Sequence, residues 1–228
     1  MQQTAALRTS AQERLRGAEH AAEAMTPSEC ISLVQDLLVG DLRLRSQLSP
    51  FRVELSPPPA LPLHLPPAPS LDPPPLPLLI TCARHDEPLG RPASSAGAAH
   101  GGRAFFQHPP PRVTLVCDRL RSAEDVRSAL AHEAQHAVDA TVAGMDLATC
   151  GGLACSEVRA AAMAECAHLP VSSRARRTCA ATIARVSADM IFPRGAGAAC
   201  VGAVLDLCLD TEGDVTTGAA YRHMATLV

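Results

Sequence analysis

The spacing of apolar positions changes along the chain, and each change marks an element. From Thr26-Pro27-Ser28-Glu29 onward, Ile31, Val34, Leu37, Leu38, Leu42 and Leu44 recur every three or four residues until Ser49-Pro50. That is one face of an amphipathic helix, and it predicts a single helical segment over 26–50. Residues 78–82 and 113–117 are short, β-branched and bounded by proline, so both read as strands, with 104–106 a weaker third. After Asp118 the period moves to about 3.6. Ser122 stands as an N-cap with Asp125 three residues on, and Gly144 ends the run, which predicts a helix over 123–143. Further helices are expected over 155–168, 174–190 and 198–209. The fold class is therefore α+β, a small and mostly antiparallel sheet followed by a helical half.

Composition divides the chain further. Residues 1–25 are alanine-rich with interspersed Arg and Glu, a solvated or disordered leader. Eleven of the twenty-one residues from 57 to 77 are proline, so that stretch is extended polyproline or disordered; 51–77 is read as a spacer, and 57–77 is expected to be dispensable for chemistry. A Gly/Ala/Ser-rich loop covers 88–103, and 78–228 is left as the core domain. Apolar residues make up 47% of the 228, but 41 are alanine, only five are aromatic and none is tryptophan, so the core must be thin and close-packed. All twenty basic residues are arginine, which excludes lysine nucleophiles and Schiff bases. A net charge of -3 lacks the basic excess that phosphate neutralisation needs, and no nucleic-acid partner is expected. No apolar run is long enough to span a bilayer. Six of the nine cysteines fall between Cys150 and Cys208, on segments read as helices, at spacings that could pin one helix to the next. The odd count leaves a free thiol or an intermolecular bridge.

The chemistry lies in His132-Glu133-Ala134-Gln135-His136, inside the helix at 123–143. Residues four apart share a helix face, so both imidazoles can reach one metal ion while Glu133, one residue round, points beside it. Shuffling this composition yields an HExxH roughly 0.02 times per chain, so accident is a weak rival. A catalytic zinc takes three protein ligands and keeps a position open, one Zn2+ per chain, and Glu133 would be the general base. An HExxHxxGxxH arrangement is excluded, because Asp139 stands where the glycine would be and Val142 where the third histidine would be. Two carboxylates compete for the third ligand. Glu157 is preferred because it comes from a separate helix, the thermolysin-like (zincin, gluzincin type) geometry; Asp139 is the alternative, otherwise orienting an imidazole.

Two ordered segments, Leu130 to Asp139 with its His132-Glu133 pair and Leu153-Ala154-Cys155-Ser156-Glu157-Val158-Arg159-Ala160-Ala161, resemble the mitochondrial inner-membrane zinc metalloproteases that process and help assemble the proton-channel subunit of ATP synthase. Weaker agreement runs through Cys30, Cys82, Cys117, Cys166, Cys179 and Cys208. His85 departs from the family pattern, standing where a second cysteine is expected. Gln135 departs too, replacing an apolar residue within the zinc motif, and the proline tract is an insertion. The resemblance implies a zinc endopeptidase peripheral to the inner membrane on its intermembrane-space side. Its partner would be the precursor of an ATP synthase membrane subunit. It also implies oxidised cysteine pairs and, as the alternative function, a non-proteolytic assembly factor on a protease-like scaffold.

Overall fold

A computed structural model describes residues 24–57, 74–87 and 102–210. The leader up to residue 23, most of the proline tract (58–73), the loop 88–101 and the tail from 211 lie outside the described residues. Thr26 opens the first helix, α1 (Pro27–Gly40), through a complete capping box with Glu29. Its buried residues Cys30, Ile31, Val34 and Leu38 face the sheet. The single helix expected over 26–50 is in fact two. Asp41 adopts an extended backbone, and its carboxylate accepts the N–H groups of Arg43 and Leu44 to start α2 (Leu42–Leu48). A short polar residue that competes for backbone donors breaks one helix and begins the next.

The strands are β1 (Phe51–Ser56), β2 (Leu76–Ala83), β3 (Ala104–Gln107) and β4 (Arg112–Val116), in the order β1-β2-β4-β3. The expectation of a mostly antiparallel sheet is wrong. β1 with β2 and β2 with β4 run parallel, and only the hairpin neighbours β3 and β4 are antiparallel. Phe51–Ser56 is a strand of this sheet, where the sequence reading began the spacer. The central strands are covered on both faces, hence the unbroken burial of Ile80 through Ala83 and of Val113 through Val116.

The helix that carries His132 to His136, α3 (Ala123–Ala137), is capped by Ser122 and packs on β3 and β4. It runs into a single π turn, Val138–Val142, and stops at Gly144 in the left-handed region. Three helices follow: α4 (Cys150–Met163), α5 (Arg174–Ile191) and α6 (Ala196–Asp210). Gly152 in the first turn of α4 admits no side chain, since a Cβ there would lie 2.1 Å from the Asp146 carbonyl oxygen.

Two apolar clusters result. One joins α1, α2, the sheet and α3 through Ile31, Leu38, Leu78, Ile80, Leu115 and Leu130. The other joins α4, α5 and α6, largely through alanine and cysteine. The disulfides divide the same way. Cys30–Cys82 ties α1 to β2, while Cys150–Cys200, Cys155–Cys208 and Cys166–Cys179 lie in the helical half. Cys117 is the unpaired cysteine that the odd count leaves within the chain. Among the described residues no helix is long and apolar enough to cross a membrane.

Candidate metal centre

The site forms where the two halves meet. His132 and His136 lie on one face of α3, with ring centroids 4.9 Å apart in an edge-to-face arrangement. Glu157, from the middle of α4, reaches between them. Its Oε2 is 3.4 Å from His132 Nε2 and its Oε1 is 3.6 Å from His136 Nε2. One donor atom from each of the three residues falls within 4.8 Å of the others. The other nitrogen of each ring is already engaged: His132 Nδ1 lies 3.1 Å from Glu165 Oε2, and His136 Nδ1 lies 2.7 Å from Ser156 Oγ. The two Nε2 atoms are left facing Glu157. Glu157 Oε2 is buried with no hydrogen-bond partner. A buried carboxylate facing two imidazole nitrogens is a donor set that suits a divalent cation such as zinc.

Asp139 stands apart from this group. It is fully buried in the π turn, where Ser156 Oγ donates to its Oδ2 at 2.8 Å, Gln135 Nε2 donates to its Oδ1 at 3.0 Å, and Arg159 Nε lies 3.3 Å from Oδ1. Both oxygens are occupied, so the carboxylate touches His136 only through Ser156.

The protein's own charges set the protonation of these groups. Burial opposes a charge on His132, but Glu157 and Glu165 outweigh it and hold the imidazole pKa well above its ordinary range. Burial takes His136 the other way, down to about 4, against the pull of Glu157. Burial also pushes Glu133 up to about 7, with His132 opposing and the Glu157 and Glu165 carboxylates adding to the rise. Glu157 itself stays below the usual carboxylate range, because the two histidines outweigh its burial. A carboxyl poised near neutrality beside a three-ligand group can exchange a proton with a reacting molecule.

These residues open into a cleft of about 390 Å3. Ala104, Phe105 and Phe106 of β3 form one wall, and Leu147, Leu153, Met190 and Ile191 form the other. Among the described residues β3 is an edge strand, the position along which an extended chain can pair.

His132, Glu133, His136 and Glu157, the four residues preferred from the sequence, therefore line one cleft. Glu165 and Ser156 were missed. Glu165 lies past the end of α4 at Met163, so no helical spacing from Glu157 signalled it. His85 contacts Asp118, and His168 Nδ1 lies 3.0 Å from the Glu165 carbonyl oxygen. His20, His64 and His223 lie outside the described residues.

No curated protein and no solved structure matches the chain. Residues 90–188 do match the model of the Peptidase M76 family. That stretch holds the whole His132, Glu133, His136 and Glu157 set, so the part of the chain that carries the candidate centre is similar to the Peptidase M76 family, in agreement with the resemblance drawn from the sequence.

Proposed function

We propose that the chain is a zincin-like (gluzincin type) zinc endopeptidase, with one Zn2+ held by His132, His136 and Glu157 and with Glu133 as general base. The observation that carries this reading is the convergence of one donor atom each from His132, His136 and Glu157 within 4.8 Å, beside a carboxyl shifted towards neutrality. Zinc held by His132, His136 and Glu157 would supply Lewis acidity towards the scissile carbonyl and the attacking water. The protein supplies the rest. β3, an edge strand among the described residues, lines up the substrate backbone, and Leu147, Leu153, Met190 and Ile191 receive apolar side chains. The Glu133 carboxylate takes the proton of the attacking water onto one of its oxygens. It then gives that proton to the leaving amine, which restores the carboxylate.

The substrate in this reading is the precursor of an ATP synthase membrane subunit, and the enzyme sits at the mitochondrial inner membrane, peripherally, on the intermembrane-space side. The four disulfides support an oxidising compartment, and the family match supports the peptidase activity. Purified protein should carry one zinc per chain and cleave that precursor. Zinc-loaded protein that assembles the subunit but never cleaves the precursor would favour the assembly-factor reading.

A further inference from the structure

Gln135 directly precedes His136 in the motif, and the structure shows where its amide goes. Gln47, on α2, donates from one Nε2 both to the Ala131 carbonyl oxygen at 3.0 Å and to Gln135 Oε1 at 3.2 Å. Gln135 turns its own Nε2 to Asp139 Oδ1 at 3.0 Å. On the far side of that carboxylate, Ser156 Oγ lies 2.8 Å from Oδ2 and 2.7 Å from His136 Nδ1.

Counting protons gives the chain a direction. A carboxylate only accepts, so the one hydroxyl proton of Ser156 goes to Asp139. Ser156 Oγ is then left to accept from His136, which puts the imidazole proton on Nδ1 and the lone pair on Nε2, the nitrogen that faces Glu157. The two amides are fixed by the same bookkeeping. Gln135 must present its oxygen to Gln47 and its nitrogen to Asp139. The Gln47–Gln135 pair therefore braces one side of Asp139 while Ser156 reads out the other.

We propose that Gln47 and Gln135 are positioning residues of the metal centre, acting through Asp139 and Ser156 to hold His136 in its Nε2-ligating tautomer and orientation. The N-terminal helical pair is thereby a working part of the site and not only a cover for the sheet. This rests on the zinc reading above.

The test is zinc affinity, measured by chelator competition on the full chain, for Ser156→Ala, Gln135→Leu and the double variant. Removing the direct partner of a metal-binding imidazole weakens affinity by about 10–100-fold, which is the expectation for Ser156→Ala. Gln135→Leu should weaken it by a smaller factor. In the Ser156→Ala background Gln135→Leu should weaken it no further, since its route to His136 is already cut. Nitrogen chemical shifts of the zinc-loaded protein should place the His136 proton on Nδ1 in the parent, with a mixed signal in Ser156→Ala. If Gln135→Leu does not fold, Gln47→Met removes both donations from a half-buried position and takes its place. Unchanged zinc affinity in the single variants, or independent and additive losses in the double variant, would overturn the proposal. Failure of the parent chain to bind zinc at all would overturn the zinc reading instead.

Discussion

The two halves of the molecule solve the same stability problem with different materials. The sheet half buries Leu38, Leu48, Leu78, Ile80, Leu115, Leu120 and Leu130 and carries one disulfide. The helical half buries Ala154, Ala161, Ala162, Ala180, Ala181 and Ala184 and carries three. A buried leucine or isoleucine contributes about 1.5–3 kcal/mol, and a single methyl group about 0.8 kcal/mol. An alanine interface lets helices approach closely but gains little from burial. A disulfide, at about 2–4 kcal/mol, compensates for several missing side chains. The candidate metal centre spans the junction, with two ligands from the sheet half and one from the helical half.

The sharpest way to probe this division is at the site. Glu133→Gln should keep zinc and lose about 10²–10⁴ in cleavage rate, while Glu157→Ala should lose the zinc itself. Precursor turnover and zinc per chain are the two measurements, and normal turnover in Glu133→Gln would refute its role as base. Next comes the stapling. Replacing Cys155 and Cys208 together by alanine should cost about 2–5 kcal/mol. Hydrogen exchange should then rise in α4 and α6 while β2 and β4 stay protected; equal loss in both halves would show one cooperative unit instead.

Core substitutions should differ in sign of volume. Leu130→Ala opens a cavity in the sheet half at about 2–5 kcal/mol, whereas in the helical half the damaging change is enlargement, with Ala161→Leu costing about 1–3 kcal/mol. Denaturant midpoints measure both.

The smallest effect concerns Asp41, which starts α2 and also pairs with Arg127 Nε at 2.7 Å. Burial works against its charge, but the Leu44 N–H and Arg127 prevail and hold its pKa below the ordinary value. Its stabilisation is therefore complete above the unfolded carboxyl pKa and is lost as pH falls through the lower folded one. Asp41→Ala should cost about 1 kcal/mol at neutral pH and remove that part of the acid sensitivity, as read from urea melts across pH.

The legibility of the sequence followed the same divide between local and long-range causes. The motif helix was readable because Ser122, the 3.6 period and Gly144 are all local signals. Strand β1 carried one as well, the alternation of Phe51, Val53 and Leu55 with Arg52 and Glu54, but the neighbouring prolines masked it. Strand direction was not readable, since it depends on the path taken between strands and not on the strands themselves. The choice of Glu157 over Asp139 followed from reach; the contacts of Asp139 with Ser156 and Gln135 are side-chain packing that the sequence did not signal. Glu165 lies beyond the last turn of α4, brought to His132 by tertiary packing that no spacing rule encodes.

Cys117 gives the sheet half a built-in clock. It has no exposed surface, and burial pushes its thiol up to about 12, so it is inert in the folded chain. With the other eight cysteines paired, a thiol-specific reagent has one target, and it reaches that target only when the strands around Cys117 part. The labelling rate under non-reducing conditions thus times the opening of the sheet half alone, without any engineered probe.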